Sequence, residues 1–80
     1  MDVDVELDAL GLLCPLPVLR AARQLRGMAP GEVLTVLASD PAAEVDMPHF
    51  CAQASHDFLG AEDRGDHRAY RIRRGPDPTD

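Results

Sequence analysis

Tryptophan and lysine are absent from this sequence, and its 80 residues include only one tyrosine and two phenylalanines. The core must therefore consist mainly of leucine, valine and alanine, which a hydrophobic fraction of 45% allows. A chain of this length forms one small domain that buries about 60% of the surface exposed by its unfolded chain. Because the formal net charge is −6, we expect this chain to contact nucleic acid only indirectly, if at all.

Long apolar runs are also missing. None approaches the roughly 20 residues that span a bilayer, so no membrane partner is expected. The acidic residues 1–4 lack the layout of a signal peptide. The two cysteines have neither Cys-x-x-Cys nor zinc-knuckle spacing, and the three histidines have no partners at metal-ligand spacing. We therefore expect reduced thiols in the cytoplasm, surface histidines, and neither a cofactor nor a metal.

The first half of the chain predicts a strand, a helix and a second strand. Residues 2–9 alternate between acidic and apolar side chains, which is typical of a strand with one buried face. Apolar residues recur at helical spacing over 15–26, and Gly27 follows as a C-terminal stop. The run 32–38 is almost continuously apolar, which predicts an interior strand.

The second half predicts a helix and a hairpin. The helix begins either at an Asp46 N-cap or nearer Glu44, with Pro48 in its first turn or at a kink. Residues 56–63 and 68–73 then form two strands joined by a short turn.

This order of strand, helix, strand, helix, strand, strand predicts an α+β fold. We expect a two-layer sandwich with both helices on one face of a mixed four-stranded sheet. Residues 1–74 are assigned to a single domain and residues 75–80 to a flexible tail with nothing to bury. The second strand is apolar on both faces, so some hydrophobic surface is expected on the open face of the sheet.

The stretch from Gly11 to Val18 carries the more informative cysteine. Gly11 lets the chain turn after the first strand, and Pro15 suits the first helical position. Cys14 is then placed at the N-cap, where the positive end of the helix dipole lowers the pKa of a thiol. Pro17 removes a first-turn N–H, so few backbone donors remain for an anion there. These residues predict a reactive, accessible thiol, although a free cysteine can also be a small core residue.

Cys51 has two interpretations. It lies in the apolar stripe of the second helix beside Phe50, which favours packing in the core. Alternatively, it pairs with Cys14 in a thiol redox switch, which requires the two Cα atoms to lie within about 7 Å. A further alternative is a non-catalytic interaction or regulatory module in which Cys14 only caps the helix.

The sequence resembles the TusA-like (SirA-like) sulfur-carrier proteins. The resemblance rests on residues 7–11 and the Cys-Pro-x-Pro element at 14–17, and it continues through residues 30–32, 39–42, 46–51 and 70–73. It implies the same two-layer fold, with sulfane sulfur carried on Cys14 as a persulfide. It also implies a donor, either a cysteine desulfurase or another persulfide protein, and a downstream acceptor protein. The relay would serve tRNA 2-thiouridine formation, sulfur oxidation or molybdenum-cofactor supply.

The resemblance is incomplete on both sides of the cysteine. Many relatives have a basic residue just before the cysteine and a charged one between the prolines, whereas here these positions are Leu13 and Leu16. No adjacent cation in the sequence therefore stabilises a thiolate at Cys14. We expect an apolar rim around the thiol, formed by Leu12, Leu13 and Leu16, although Leu12 can also fold inward. Arg20 and Arg23 are expected to steer an acidic partner surface towards this rim.

Overall fold

A computed structural model describes residues 4–76 of the chain. Its elements follow the predicted order of strand, helix, strand, helix, strand, strand. They are β1 (Asp4–Asp8), α1 (Leu16–Arg26), β2 (Val33–Ala38), α2 (Ala43–Ala54), β3 (Asp57–Asp63) and β4 (Arg68–Arg73). The four strands lie close to the predicted ranges, and both strands of the hairpin end where the sequence pattern ends.

The four strands form one mixed sheet in the order β1-β2-β4-β3. β1 pairs with β2 in parallel, and β4 pairs antiparallel with both β2 and β3. β2 is therefore an interior strand, as its apolar sequence predicts. The parallel pair also places the carboxyl ends of β1 and β2 at the same edge of the sheet.

The core lies between one face of the sheet and both helices. Leu34 and Val36 of β2 point to the same face because side chains alternate along a strand. They belong to one buried cluster with Leu25 of α1 and with Met47 and Cys51 of α2. Both helices thus cover the same face, which confirms the two-layer α+β fold. Burying each large apolar side chain there contributes roughly 1.5–3 kcal/mol.

The apolar β2 residues on the open face of the sheet are less exposed than the sequence suggested. Its β2 residues include Val33, which is only 6% exposed, and Leu37, which is half-buried. Val33 lies in register between Asp4 and Arg73. Because an arginine stem is aliphatic, Arg73 is positioned to cover the strand while its charged end reaches Asp57 at 3.6 Å.

The beginnings of the two helices differ from the prediction. The N-cap of α1 is Pro15, so Cys14 lies one residue before the cap rather than at it. The N-cap of α2 is Ala42, and Asp46 lies inside the helix, so the Asp46 N-cap was wrong and the start near Glu44 was closer. Pro48 lies in the interior of α2 rather than in its first turn.

The last described residues remain attached to the domain. The N–H of Gly75 donates to Nδ1 of His56 at 2.9 Å, and Gly75 is buried. A Cβ atom at this position would clash with the carbonyl of Ser55, so the contact requires glycine. Gly75 therefore contacts the residues between α2 and β3. Residues 77–80 lie outside the described residues, and the division into domain and tail stays a prediction.

No helix within residues 4–76 is both long enough and apolar enough to cross a membrane.

Candidate functional site

Cys14 lies on the loop between β1 and α1, and its side chain is exposed. Gly11 has a φ of +78°, a conformation that glycine adopts without steric cost, and this lets the loop turn after β1. The loop is then tied to the residues that follow β2. The N–H of Gly11 donates to Oγ of Ser39 at 2.9 Å, and the N–H of Cys14 donates to Oδ2 of Asp40 at 2.6 Å. These bonds hold the cysteine at the carboxyl edge of the parallel strands.

Asp40 organises both the cysteine loop and the start of α2. Its Oδ1 accepts the N–H of Ala42 at 3.0 Å, while its Oδ2 accepts the N–H of Cys14. These two backbone donors, Ala42 first, hold the pKa of Asp40 below its ordinary value because they stabilise the ionised form. One carboxylate therefore fixes the loop that carries the thiol against the helix that packs beside it.

The thiol of Cys14 contacts a second carboxylate. Its Sγ donates to Oδ2 of Asp46 at 2.8 Å, and Asp46 lies in the first turn of α2. This hydrogen bond is the largest cause of a raised pKa at Cys14; desolvation and the negative charges of Asp46 and Asp40 add to it. The carboxylate accepts a bond from S–H but repels S⁻. The lowered pKa that we predicted from the helix dipole was therefore wrong.

The N-terminus of α1 has little to offset those carboxylates. Cys14 precedes the N-cap, and the first intrahelical bond is that from the N–H of Leu19 to the carbonyl of Pro15, at 3.1 Å. The N–H of Leu16 donates to the carbonyl of Leu13 at 2.8 Å, and Pro17 has no N–H to donate. Two of the donors that usually favour an anion at a helix N-terminus are thus used or missing.

A cavity of about 210 Å³ opens beside the sulfur of Cys14. Val18 of α1 and Phe50 of α2 supply apolar lining, while Asp46 supplies the charged group. The remaining lining residues are Pro15, His49 and Gln53. The cavity therefore brings an exposed thiol, a carboxylate and an apolar wall together between the two helices.

The surface next to Cys14 combines exposed leucines with arginines. Leu13 is 69% exposed and Leu16 is 46% exposed. On α1, Leu16, Leu19, Arg20 and Arg23 follow one another at helical spacing, so they share a face. Leu19 is 56% exposed, and both arginines are exposed. These five residues, which we name the docking rim, form an apolar strip with basic side chains along it.

Cys51 lies in the core, with 1% of its surface exposed. Burial raises its pKa to about 11, with a smaller contribution from the charge of Asp57. The packing interpretation of Cys51 is thus confirmed. A buried, protonated thiol is poorly suited to resolving a bond formed on Cys14, since the thiolate is the attacking form.

Each of the three histidines has different neighbours. Nδ1 of His67 lies 2.7 Å from Oδ1 of Asp66, and the ring of His56 packs against Phe50 at a centroid distance of 5.7 Å. His49 is exposed and lines the cavity beside Cys14. Within residues 4–76, no three histidine, cysteine or acidic side chains are grouped so that they could hold a metal ion.

Sequence reasoning missed the roles of Asp40 and Asp46 at this site. Asp40 follows the predicted second strand and was given no role, and Asp46 was predicted to cap a helix. They lie 26 and 32 residues from Cys14 in the chain, so no local pattern connects them with the thiol. The only signal was indirect: both residues fall within the segments that carry the family resemblance, 39–42 and 46–51.

Comparison with known proteins identifies the family and the fold. The family model described as Sulfurtransferase TusA matches residues 5–74. The crystal structure of the SirA-like protein from Desulfitobacterium hafniense is also similar, with a TM-score of 0.78 and 26% sequence identity over 89% of this chain and 97% of that chain. The resemblance drawn from the Cys-Pro-x-Pro element is thereby confirmed, and the chain belongs to the TusA sulfurtransferase family.

Proposed function

We propose that this protein is a sulfur carrier in which Cys14 holds sulfane sulfur as a persulfide. The observation that carries the proposal is the contrast between the two thiols. Cys14 is exposed on a loop held by two backbone–side-chain bonds, whereas Cys51 is buried in the core. A carrier needs one accessible sulfur at a defined position, and Cys14 is the thiol that meets this need.

The proposed transfer has two steps. The thiolate of Cys14 attacks the terminal sulfur of a donor persulfide; a new S–S bond forms, the donor S–S bond breaks, and the donor leaves as a thiolate. An acceptor thiolate then attacks the outer sulfur on Cys14, which in turn leaves as a thiolate. Two electrons move with each bond exchanged, so no external oxidant or reductant is required. The cavity beside the sulfur has room for the added atom.

The donor in this proposal is a cysteine desulfurase or another persulfide protein, and it binds at the docking rim. The exposure of Leu13 and Leu16 supports an apolar contact that removes water from the sulfur during transfer. Arg20 and Arg23 lie on the same helix face and add attraction to an acidic partner surface. Leu12, by contrast, is half-buried and packs against the core.

The relay that we propose ends in 2-thiouridine of tRNA, with an acceptor protein between this carrier and the RNA. The net charge of −6 supports an indirect route, because direct binding to RNA favours basic proteins. Two free thiols agree with a reducing, cytoplasmic setting. Sulfur oxidation and molybdenum-cofactor supply use the same persulfide chemistry and differ in the acceptor.

Sulfur loading tests the proposal directly. After incubation with a cysteine desulfurase and cysteine, intact-mass spectrometry should show the gain of one sulfur atom by the wild-type protein and by Cys51→Ser. Cys14→Ser should gain none. Loading of Cys14→Ser at the wild-type level would refute the assignment, and loss of loading in a folded Cys51→Ser would favour the two-cysteine switch instead.

A further inference from the structure

The carboxylate of Asp46 has a contact that a simple carrier does not require, because a thiol held by a carboxylate is harder to ionise. We propose that Asp46 is a gate on Cys14: it keeps the thiol protonated in the free carrier, and a cationic side chain of the docked partner releases the thiolate by pairing with Asp46. This inference rests on the proposed carrier function and adds the chemistry that the partner must supply.

The geometry of the contact supports a gate. Sγ of Cys14 lies 2.8 Å from Oδ2 of Asp46, so an ionised sulfur at the same place would face a negative oxygen at contact distance. Asp46 is held on α2 and Cys14 is tied to Asp40, so the two groups are held together by separate parts of the fold. Both carboxylates act in the same direction and raise the pKa of the thiol.

The groups around the sulfur offer no compensating positive side chain from α1 or the loop. The loop before α1 contributes Leu13 and Pro15, and α1 contributes Val18 to the cavity wall. α2 contributes Asp46 and His49, and the segment after β2 contributes Asp40. None of these side chains is a lysine or an arginine, and His49 is the only basic side chain among them.

Asp46 is also available to a partner. Its side chain is half-buried rather than enclosed, and none of the ion pairs formed within residues 4–76 uses it. A lysine or arginine brought to this carboxylate would replace the S–H bond with an ion pair. The docked carrier would then present acidic groups beside α2 and basic groups along α1, so the partner surface must carry both charges.

A role for Asp46 as the base that ionises Cys14 is a weaker explanation. A carboxylate is a much weaker base than a thiolate, so the proton favours the sulfur. In the gated step, the partner cation pairs with Asp46 and the thiol proton goes to solvent. The thiolate then attacks the donor persulfide, and the donor thiolate that leaves takes up a proton from solvent.

The first experiment titrates the thiolate of Cys14 by its ultraviolet absorbance in the free protein. Asp46→Asn should lower the pKa of Cys14, and Glu44→Gln is the matched control. Glu44 lies on the same helix and loses the same charge, but its carboxylate contacts Arg68 at 3.1 Å rather than the thiol. For each unit by which the pKa falls, alkylation by iodoacetamide at neutral pH should rise about threefold, because about tenfold more thiolate is offset by about threefold lower nucleophilicity.

The second experiment compares two sulfur donors at one pH, inorganic polysulfide and a cysteine desulfurase charged with cysteine. Asp46→Asn should accept sulfur from polysulfide faster than the wild type, because the gate is absent. With the protein donor this gain should disappear or reverse, since the partner cation has no carboxylate to pair with. Circular dichroism of Asp46→Asn and Glu44→Gln checks that both variants remain folded.

An unchanged thiolate titration in folded Asp46→Asn would overturn the gate. If Asp46→Asn accepts sulfur faster from both donors to the same extent, the proposed role of the partner cation is wrong. If Glu44→Gln lowers the pKa of Cys14 as much as Asp46→Asn does, the effect is one of general charge and not of the contact. If neither donor loads the wild type, the carrier function fails. The titration then still reports on the gate, so the two failures are distinguishable.

Discussion

Cys14 and Cys51 are both free thiols with raised pKa values, but opposite surroundings raise them. At Cys14 the first cause is the hydrogen bond to Asp46, on an exposed loop. At Cys51 the first cause is burial within the core. A contact with one carboxylate can be removed by a substitution or a partner, whereas burial is removed only by opening the core. The pKa of Cys14 can therefore change in the folded protein, whereas that of Cys51 cannot.

The largest expected difference between the two thiols is in their alkylation by iodoacetamide. Under native conditions Cys14 should react, while Cys51 should react at least about a thousandfold more slowly, because its reaction requires the rare unfolded state. Peptide mass spectrometry after timed labelling measures both rates. Guanidinium should abolish the difference, and comparable native rates would show that the core around Cys51 opens readily.

Leu16→Asp separates reactivity of the thiol from docking of the donor. Because Leu16 is 46% exposed, the variant should remain folded, with a change in stability within about 0.5 kcal/mol. It should react normally with polysulfide yet accept sulfur from a protein donor about tenfold more slowly, as expected for the loss of an apolar anchor.

Leu59→Asp is the matched control for Leu16→Asp. Leu59 is 38% exposed on β3, outside the docking rim, so its substitution should leave loading from the protein donor unchanged. If Leu16→Asp unfolds, or loads at the wild-type rate, then Leu16 belongs to the core or to an inert surface and the docking model is wrong.

Leu13→Arg should increase the difference between the pKa values of the two thiols. A positive charge beside Cys14 favours its thiolate, so the raised pKa of Cys14 should fall while that of buried Cys51 stays near 11. Because the thiolate is the reactive form, a lower pKa gives more thiolate at neutral pH. The alkylation rate should therefore begin to rise at a lower pH. Iodoacetamide rates measured against pH test this. An equal or higher pKa of Cys14 in the variant would show that a neighbouring charge does not determine its ionisation.

The smallest expected effect is that of salt. Because Arg20 and Arg23 are exposed, their attraction to an acidic partner is screened as ionic strength rises. Loading from a protein donor should therefore slow a few-fold between low and high salt, while the reaction of Cys14 with uncharged iodoacetamide should change little. Arg20→Gln combined with Arg23→Gln should flatten the salt dependence. An unaltered salt response in that double variant would place the steering charges elsewhere.

The sequence alone was sufficient for most of the fold and for the identity of the exposed thiol. Alternating acidic and apolar residues predicted β1, the continuous apolar run predicted interior β2, and β4 has the predicted bounds. These patterns are local, since strand and helix periods are set by backbone geometry and by which face is buried. The helix starts were predicted less well, because a cap depends on which group reaches the first backbone donors. At α2 the N-cap is Ala42, which has no side-chain cap bond; its N–H donates to Asp40, and Asp46 lies inside the helix.

The chemical state of Cys14 was decided only by the tertiary structure. The sequence placed the thiol beside the N-terminus of a helix, and the dipole of that helix by itself would lower the pKa of the thiol. Folding instead brings Asp46, 32 residues further along the chain, to 2.8 Å from the sulfur, and Asp40 to the backbone N–H of the same cysteine. Electrostatic interactions depend on distance through space and not on separation along the chain. The sequence neighbours of Cys14 therefore place it on the turn between β1 and α1, while its neighbours in the fold fix that turn and determine when the thiol ionises.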